Sequence, residues 1–170
     1  NTLQRLQGWQ GQFTAVLRWH ERVQVAANAE RSPDELDFLL AFFINCYALR
    51  DWLLAAGAID RTSLDDFMRS HVQMRLCRDI ANGFKHMELS QPSVDATFSL
   101  QNEYVPKDWP GKYKYPNGKW VICADDQLDW HQFGLVELAD ECVNLWRSFL
   151  HEHHLTTSSQ DRECTHESQH

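Results

Sequence analysis

The sequence predicts a mainly α fold, a four-helix up-and-down bundle with a small β-hairpin and strand insertion between helices three and four. Apolar residues recur at helical spacing over four long stretches. The second of these is apolar nearly all round, as a helix at the centre of a bundle is. Between about residues 90 and 128 the helical pattern lapses, and alternation and an Asn-Gly turn take its place.

Helix one is predicted over Thr2–Ala29, with Leu3, Leu6, Trp9, Phe13, Val16 and Val23 on one face. The break Arg31-Ser32-Pro33 leads into helix two. There Ser32 suits the N-cap, Pro33 the first turn, and Glu35 the far end of a Ser-x-x-Glu capping box. Helix two runs to about Ala56, where Gly57 suits a left-handed cap. Its apolar set includes Leu36, Leu39, Phe42, Phe43, Cys46, Leu49 and Leu53, leaving a narrow stripe of Asp37, Ala41, Asn45, Ala48 and Asp51. Helix three is expected from Thr62 or Ser63 to Asn82, with Gly83 as its stop and Phe67, Ser70, Met74, Cys77 and Ala81 buried. Alternation over Val94–Tyr104 reads as a strand. Lys112–Tyr115 and Lys119–Cys123, around Pro116-Asn117-Gly118, read as a hairpin. The last helix spans about Trp130–His153, with Leu135, Leu138, Cys142, Leu145 and Phe149 inward. Residues 1–154 thus form one domain, and the polar tail 155–170 is expected to be disordered.

A chain of 170 residues, 43% hydrophobic with seven Trp and nine Phe, can bury a core without disulfides or metal. Its net charge of −8 argues against coating nucleic acid through bulk electrostatics, though not against one local basic pocket. The five cysteines show no Cys-x-x-Cys spacing, and Cys46, Cys77 and Cys142 fall on apolar helical faces. That usage, with no membrane-length apolar run, predicts a cytoplasmic protein without membrane association. The opening Asn-Thr-Leu-Gln-Arg does not read as a signal peptide, and the missing Met suggests that residues precede it.

Three features could carry chemistry. Arg50 lies in the apolar arc of helix two, so it needs a carboxylate (Asp79 or Asp140 across the bundle) or a ligand. His71, Arg75, Arg78 and Asn82 are spaced by four, three and four, a shared face that is either solvated or a grip for a phosphodiester. At the helix-three exit, Gly83 could fold Lys85 and His86 back beside Arg78 and Asn82, or act as a routine cap with both cations at the helix's negative end.

The segments Phe43–Trp52 (FINCYALRDW) and Cys77–His86 (CRDIANGFKH) resemble small bacterial proteins allied to the HEPN superfamily. Those are helical bundles, usually dimeric, many of them metal-independent ribonucleases of toxin or antiphage systems. Their signature is an Arg, commonly followed by a polar residue, with a His four to six positions further on. Arg78-Asp79 and His86 match its order, with seven residues between Arg78 and His86. The resemblance implies transesterification with His86 as general acid or base. Arg78 would stabilise the phosphorane, Asn82 would orient it, and Arg50, Lys85, Asp79, Arg75 and His71 would line the substrate site. It also implies a homodimer, an RNA substrate, an antitoxin or other protein partner and no cofactor. The rival expectation is a non-catalytic module that binds protein, nucleotide or RNA, with these Arg and His residues structural.

Weaker clusters complete the list. His151-Glu152-His153-His154 lacks the two-His helical pattern of zinc proteases, and no metal is expected there. Lys107, Lys112, Lys114 and Lys119, interleaved with Trp109, Tyr113, Tyr115 and Trp120, read as a nucleic-acid surface or as a hairpin packing its aromatics inward.

Overall fold

A computed structural model describes residues 2–86, 98–126 and 129–155, with side chains over 8–83, 99–123 and 132–155. It is mainly helical: α1 (Thr2–Ala26), α2 (Glu35–Ala55), α3 (Arg61–Ser70), α4 (Val72–His86) and α5 (Leu135–Glu152) accompany β1 (Phe98–Glu103), β2 (Lys119–Asp126) and β3 (Asp129–Gly134). The expected third helix is therefore two, and its last turn continues past Gly83. The tail 156–170, residues 94–97 of the expected strand and the side chains of Leu3 and Leu6 lie outside the described residues.

α2 is the centre. Leu39, Phe42, Phe43, Cys46, Leu49 and Leu53 are fully withdrawn from water, and α1, α4 and α5 all pack on this helix. By length and hydropathy alone α2 could cross a membrane, and 33% of that stretch is buried inside the protein. Gln12 of α1, itself buried, donates to the Asn45 carbonyl at 2.9 Å and so fixes the α1–α2 register. The start of α2 departs from the capping box. Asp34 sits at the N-cap without a side-chain bond, Ser32 contributes only its carbonyl to the Glu35 N–H, and Glu35 turns into the core. Gly57 closes the helix with φ 62°, as expected.

The split between α3 and α4 has a packing cause. An unbroken helix burying Leu64 and Met68 carries His71, Arg78, Arg75 and Asn82 inward at heptad intervals. Extended backbone at His71 (φ −109°, ψ 121°) resets the phase, and α4 buries Met74, Leu76, Cys77, Ile80 and Ala81 instead. The carbonyls freed at the break find side-chain donors: Ser70 Oγ bonds Phe67 O at 3.2 Å and Arg75 bonds Arg69 O at 2.6 Å. Asp60 begins α3, accepting from the Ser63 N–H at 2.9 Å, so the cap lies two residues earlier than Thr62.

The sheet is antiparallel in the order β1-β2-β3, with Leu100 opposite Ile122 and Val121 opposite Gly134. β2 and β3 lean on α5. Trp130 belongs to β3, so the final helix starts five residues later than the sequence suggests. Lys112–Tyr115 is no hairpin arm, because its polar groups satisfy the end of α1. Tyr115 N–H bonds Ala27 O at 3.0 Å, Lys114 N–H bonds Asn28 Oδ1 at 3.0 Å, and Asn117 Nδ2 bonds Ala29 O at 2.9 Å. The expected turn at Pro116-Asn117-Gly118 does form. Gly118 takes φ 85°, and a Cβ there would sit 2.9 Å from the Glu103 carbonyl. Of the aromatic-basic segment, Tyr113 and Tyr115 pack inward, while Trp109 is exposed and Trp120 half-buried.

Phe42→Ala is expected to lower unfolding free energy by about 3–5 kcal/mol in urea titrations, because no solvent reaches the cavity it leaves. Val25→Ala, at a side chain 66% exposed, should stay within about 0.5 kcal/mol. Equal effects would contradict the core assignment.

Candidate functional site

α4 carries the residues of the Arg–His motif. Because the helix runs without a break through Gly83 to His86, the exit does not fold back. Arg78, Asn82 and His86 instead succeed one another at four-residue steps along one side of the helix, two turns or about 12 Å in all. Arg78 and Asn82 are half-buried. Among the described residues, no hydrogen bond or ion pair engages the Arg78 guanidinium. The side chains of Lys85 and His86 lie outside the described residues.

The other expected contributors are placed differently. Asp79 points into the core and is 1% exposed, so it belongs to the packing under the helix. Arg75 donates to Arg69 O. His71 sits in the α3–α4 break, with Nδ1 3.0 Å from Phe67 O and its ring 5.2 Å from that of Phe67. Arg50 does find a carboxylate, but neither of the two expected. Its guanidinium meets Asp65 of α3 at 2.6 Å and neighbouring Asp51 at 3.0 Å. The Asp65 and Asp51 partners hold its pKa above the ordinary value although desolvation, the largest single influence, opposes this. The sequence missed Asp65 because the α3–α4 break was not visible in it.

Two further polar clusters were also missed. Asp140 of α5 is a hub: His20 Nε2 lies 2.6 Å from Oδ1, Gln24 donates at 3.1 Å, the Tyr113 hydroxyl at 2.7 Å and Lys112 at 3.0 Å. Burial opposes the carboxylate charge, yet these donors hold Asp140 below the usual carboxylate range. Tyr113 and Asp140 in turn raise the Lys112 ammonium to about 12. With four partners already on one carboxylate, the cluster joins α1, α5 and the 112–117 segment. Nothing local in the sequence marks it, because its members are up to 120 residues apart.

Glu35 forms the second cluster. It is 2% exposed, its Oε1 has no hydrogen-bond partner among the described residues, and burial pushes its pKa to about 7. The Tyr115 hydroxyl is likewise buried and unbonded, and burial with nearby Glu137 pushes that phenol up. Lys119 holds the other side of Glu137 at 3.0 Å.

Two surface clefts lie away from α4. One, of about 350 Å³, is bounded by Arg22, Val25, Ala29 and Phe38; the other, of about 270 Å³, by Glu103, Trp109, Lys119 and Gln132. Among the described residues the C-terminal histidines join no cluster of metal-ligating groups. No protein-family model matches the sequence, and searches of characterised proteins and of solved structures return no match.

Glu35 generates a pH prediction. Its folded pKa of about 7 exceeds the reference 4.5, so its contribution is fully present below pH 4.5 and is lost as pH rises towards 7. Between those limits the wild type should lose roughly 2–3 kcal/mol relative to Glu35→Gln, with a plateau above. Parallel stability–pH curves for the two proteins in urea titrations would show that Glu35 is not held protonated by the fold.

Proposed function

We propose that this chain is a metal-independent endoribonuclease of HEPN type, acting from the side of α4 that carries the half-buried Arg78 and Asn82. The observation that carries the reading is an arginine, Arg78, without a counter-ion among the described residues and on the same helical side as Asn82 and His86. An unneutralised guanidinium on an acidic protein is a natural seat for a phosphodiester, since its fork matches two phosphate oxygens. A His two turns away is the one side-chain type whose ordinary pKa suits proton transfer near neutrality.

In this scheme the ribose 2′-hydroxyl loses its proton to a base and attacks the adjacent phosphorus. The P–O5′ bond breaks, the leaving oxygen takes a proton, and the products are a 2′,3′-cyclic phosphate and a 5′-hydroxyl. His86 serves one of the two proton transfers, Arg78 stabilises charge gathered on the phosphorane, and Asn82 orients it. Arg75 and Lys85 add positive potential. Arg50, Asp79 and His71, engaged in the interior or at the helix break, support the scaffold.

Neither described cleft includes α4, and a convex helix side cannot enclose RNA alone. We therefore propose a homodimer in which two α4 sides face one another, the second copy supplying the other proton-transfer histidine. The short α3 leaning on α4 would let the pair occupy one position of a four-helix up-and-down arrangement. A cytoplasmic toxin or antiphage role, with an antitoxin covering α4, follows from the same reading. The non-catalytic alternative is favoured by one observation: Arg50 and His71 are each engaged by intramolecular partners, as structural residues of a binding module would be.

The test is cleavage of mixed RNA in EDTA by wild type, Arg78→Ala and His86→Ala, with folding checked by circular dichroism. Cyclic-phosphate ends from the wild type, reduced at least about 100-fold in each variant, are expected. RNA binding that Arg78→Ala weakens, without strand scission by a folded dimer, would replace the nuclease with the binding module.

A further inference from the structure

Cys46, Cys77 and Cys142 come from three different helices, α2, α4 and α5, and their sulfur atoms all lie within 4.8 Å of one another. Each side chain is buried, and none of the three forms a disulfide. No pair is close in sequence: what gathers them is the packing of α4 and α5 on α2. Structural cysteines that serve only as small apolar side chains have no reason to converge sulfur on sulfur.

A second observation points the same way. The indole N–H of Trp146, on a side chain with 0% exposure, has no hydrogen-bond partner among the described residues, and Cys142 lies one turn before it on the same face of α5. A buried donor without an acceptor is costly. A metal-bound sulfur carrying negative charge in this group would offer it an acceptor.

We propose that Cys46, Cys77 and Cys142 form a three-sulfur site for a thiophilic d10 cation, Cu(I), at the centre of the helical core. A metal–sulfur bond of about 2.3 Å in a planar trigonal site sets the sulfurs about 4 Å apart, so the observed spacing needs to contract by less than about 1 Å. Thiolate is the ligand that soft Cu(I) selects. Three donors and no fourth also separate Cu(I) from Zn(II), which takes four ligands and, in an open site, a water. Among the described residues the group contains no fourth ligand, and nearby His20 is held by Asp140.

Loading releases thiol protons to solvent as sulfur–metal bonds form. The S–H groups of Cys77 and Cys142, now directed at Phe43 O (3.7 Å) and Gln73 O (3.6 Å), would turn to the ion, and Trp146 N–H would gain its acceptor. The bound ion would tie α2, α4 and α5 at one point. It would also sit beneath α4 one residue before Arg78. This inference does not rest on the nuclease reading, because the sulfurs face the core and the proposed RNA site faces out.

The test uses the full chain carrying Cys123→Ser and Cys164→Ser, so that only the three core thiols remain. The protein is refolded anaerobically under reducing conditions with Cu(I), or with Zn(II), and dialysed. One Cu(I) per chain with three sulfur neighbours by X-ray absorption, and a higher Tm than the metal-free protein, is expected. Cys142→Ala should reduce the count to two sulfurs or abolish binding. Copper held by nitrogen or oxygen, no retained copper in folded protein, or Zn(II) retained in preference to Cu(I) would overturn the proposal. Because the sulfur count is read on a chain that keeps all three thiols, the result does not depend on Cys142→Ala folding.

Discussion

Leu39, Phe42, Phe43, Cys46, Leu49 and Leu53 are all removed from water along α2, and it takes α1, α4 and α5 together to remove them. Each such Leu or Phe side chain contributes about 1.5–3 kcal/mol when withdrawn from solvent, and α2 is the helix on which the other three meet. The phase break at His71 follows from this constraint. α4 buries Met74, Leu76, Cys77, Ile80 and Ala81, whereas continuing the Leu64 and Met68 lines of α3 would carry His71, Arg75, Arg78 and Asn82 inward. Arg75, Arg78 and Asn82 are left half-buried at the edge of this packing, while Asp79 is buried.

Polar interactions then fix what the apolar core leaves free. Asp140 gathers His20, Gln24, Tyr113 and Lys112, and the backbone of 114–117 bonds the frayed carbonyl end of α1. A half-buried carboxylate with this many donors gives direction to a contact that apolar packing alone would leave slack. The small sheet is thereby held against α5, and Lys119 with Glu137 adds a second tether at the start of that helix. Arg50 does the same for α3 through Asp65. In each case a long-range ion pair positions an element that buries little area of its own.

Much of this was legible in the sequence. The 3.6-residue periodicity of Trp9, Phe13, Val16 and Val23, the near-uniform apolarity of α2 and the Asn-Gly turn gave the helices, their rank in the core and one tight turn. What was not legible depended on tertiary competition. Ser32-Pro33-Asp34-Glu35 satisfies the capping-box pattern, but Glu35 is drawn into the core, so the local bond is forgone. Gly83 carries a strong stop signal, yet α4 continues through it, since Gly costs a helix only about 1 kcal/mol. Trp130 suits a helical face as well as a strand, and pairing with β2 decided it. For the site, the Arg78–Asn82–His86 order could be read from sequence, and the alignment of these residues along a single helix could not. The cysteine convergence was invisible for the same reason: positions 46, 77 and 142 share nothing until three helices pack.

The central claim is that α2 is the last element to come apart. Native-state hydrogen exchange of the amides from Leu39 to Leu53 measures it directly. They should exchange only through global unfolding, with opening free energies equal to that from urea denaturation, while α3 amides exchange through smaller openings. If α2 amides exchange as readily as those of α3, the core is organised elsewhere and the account fails.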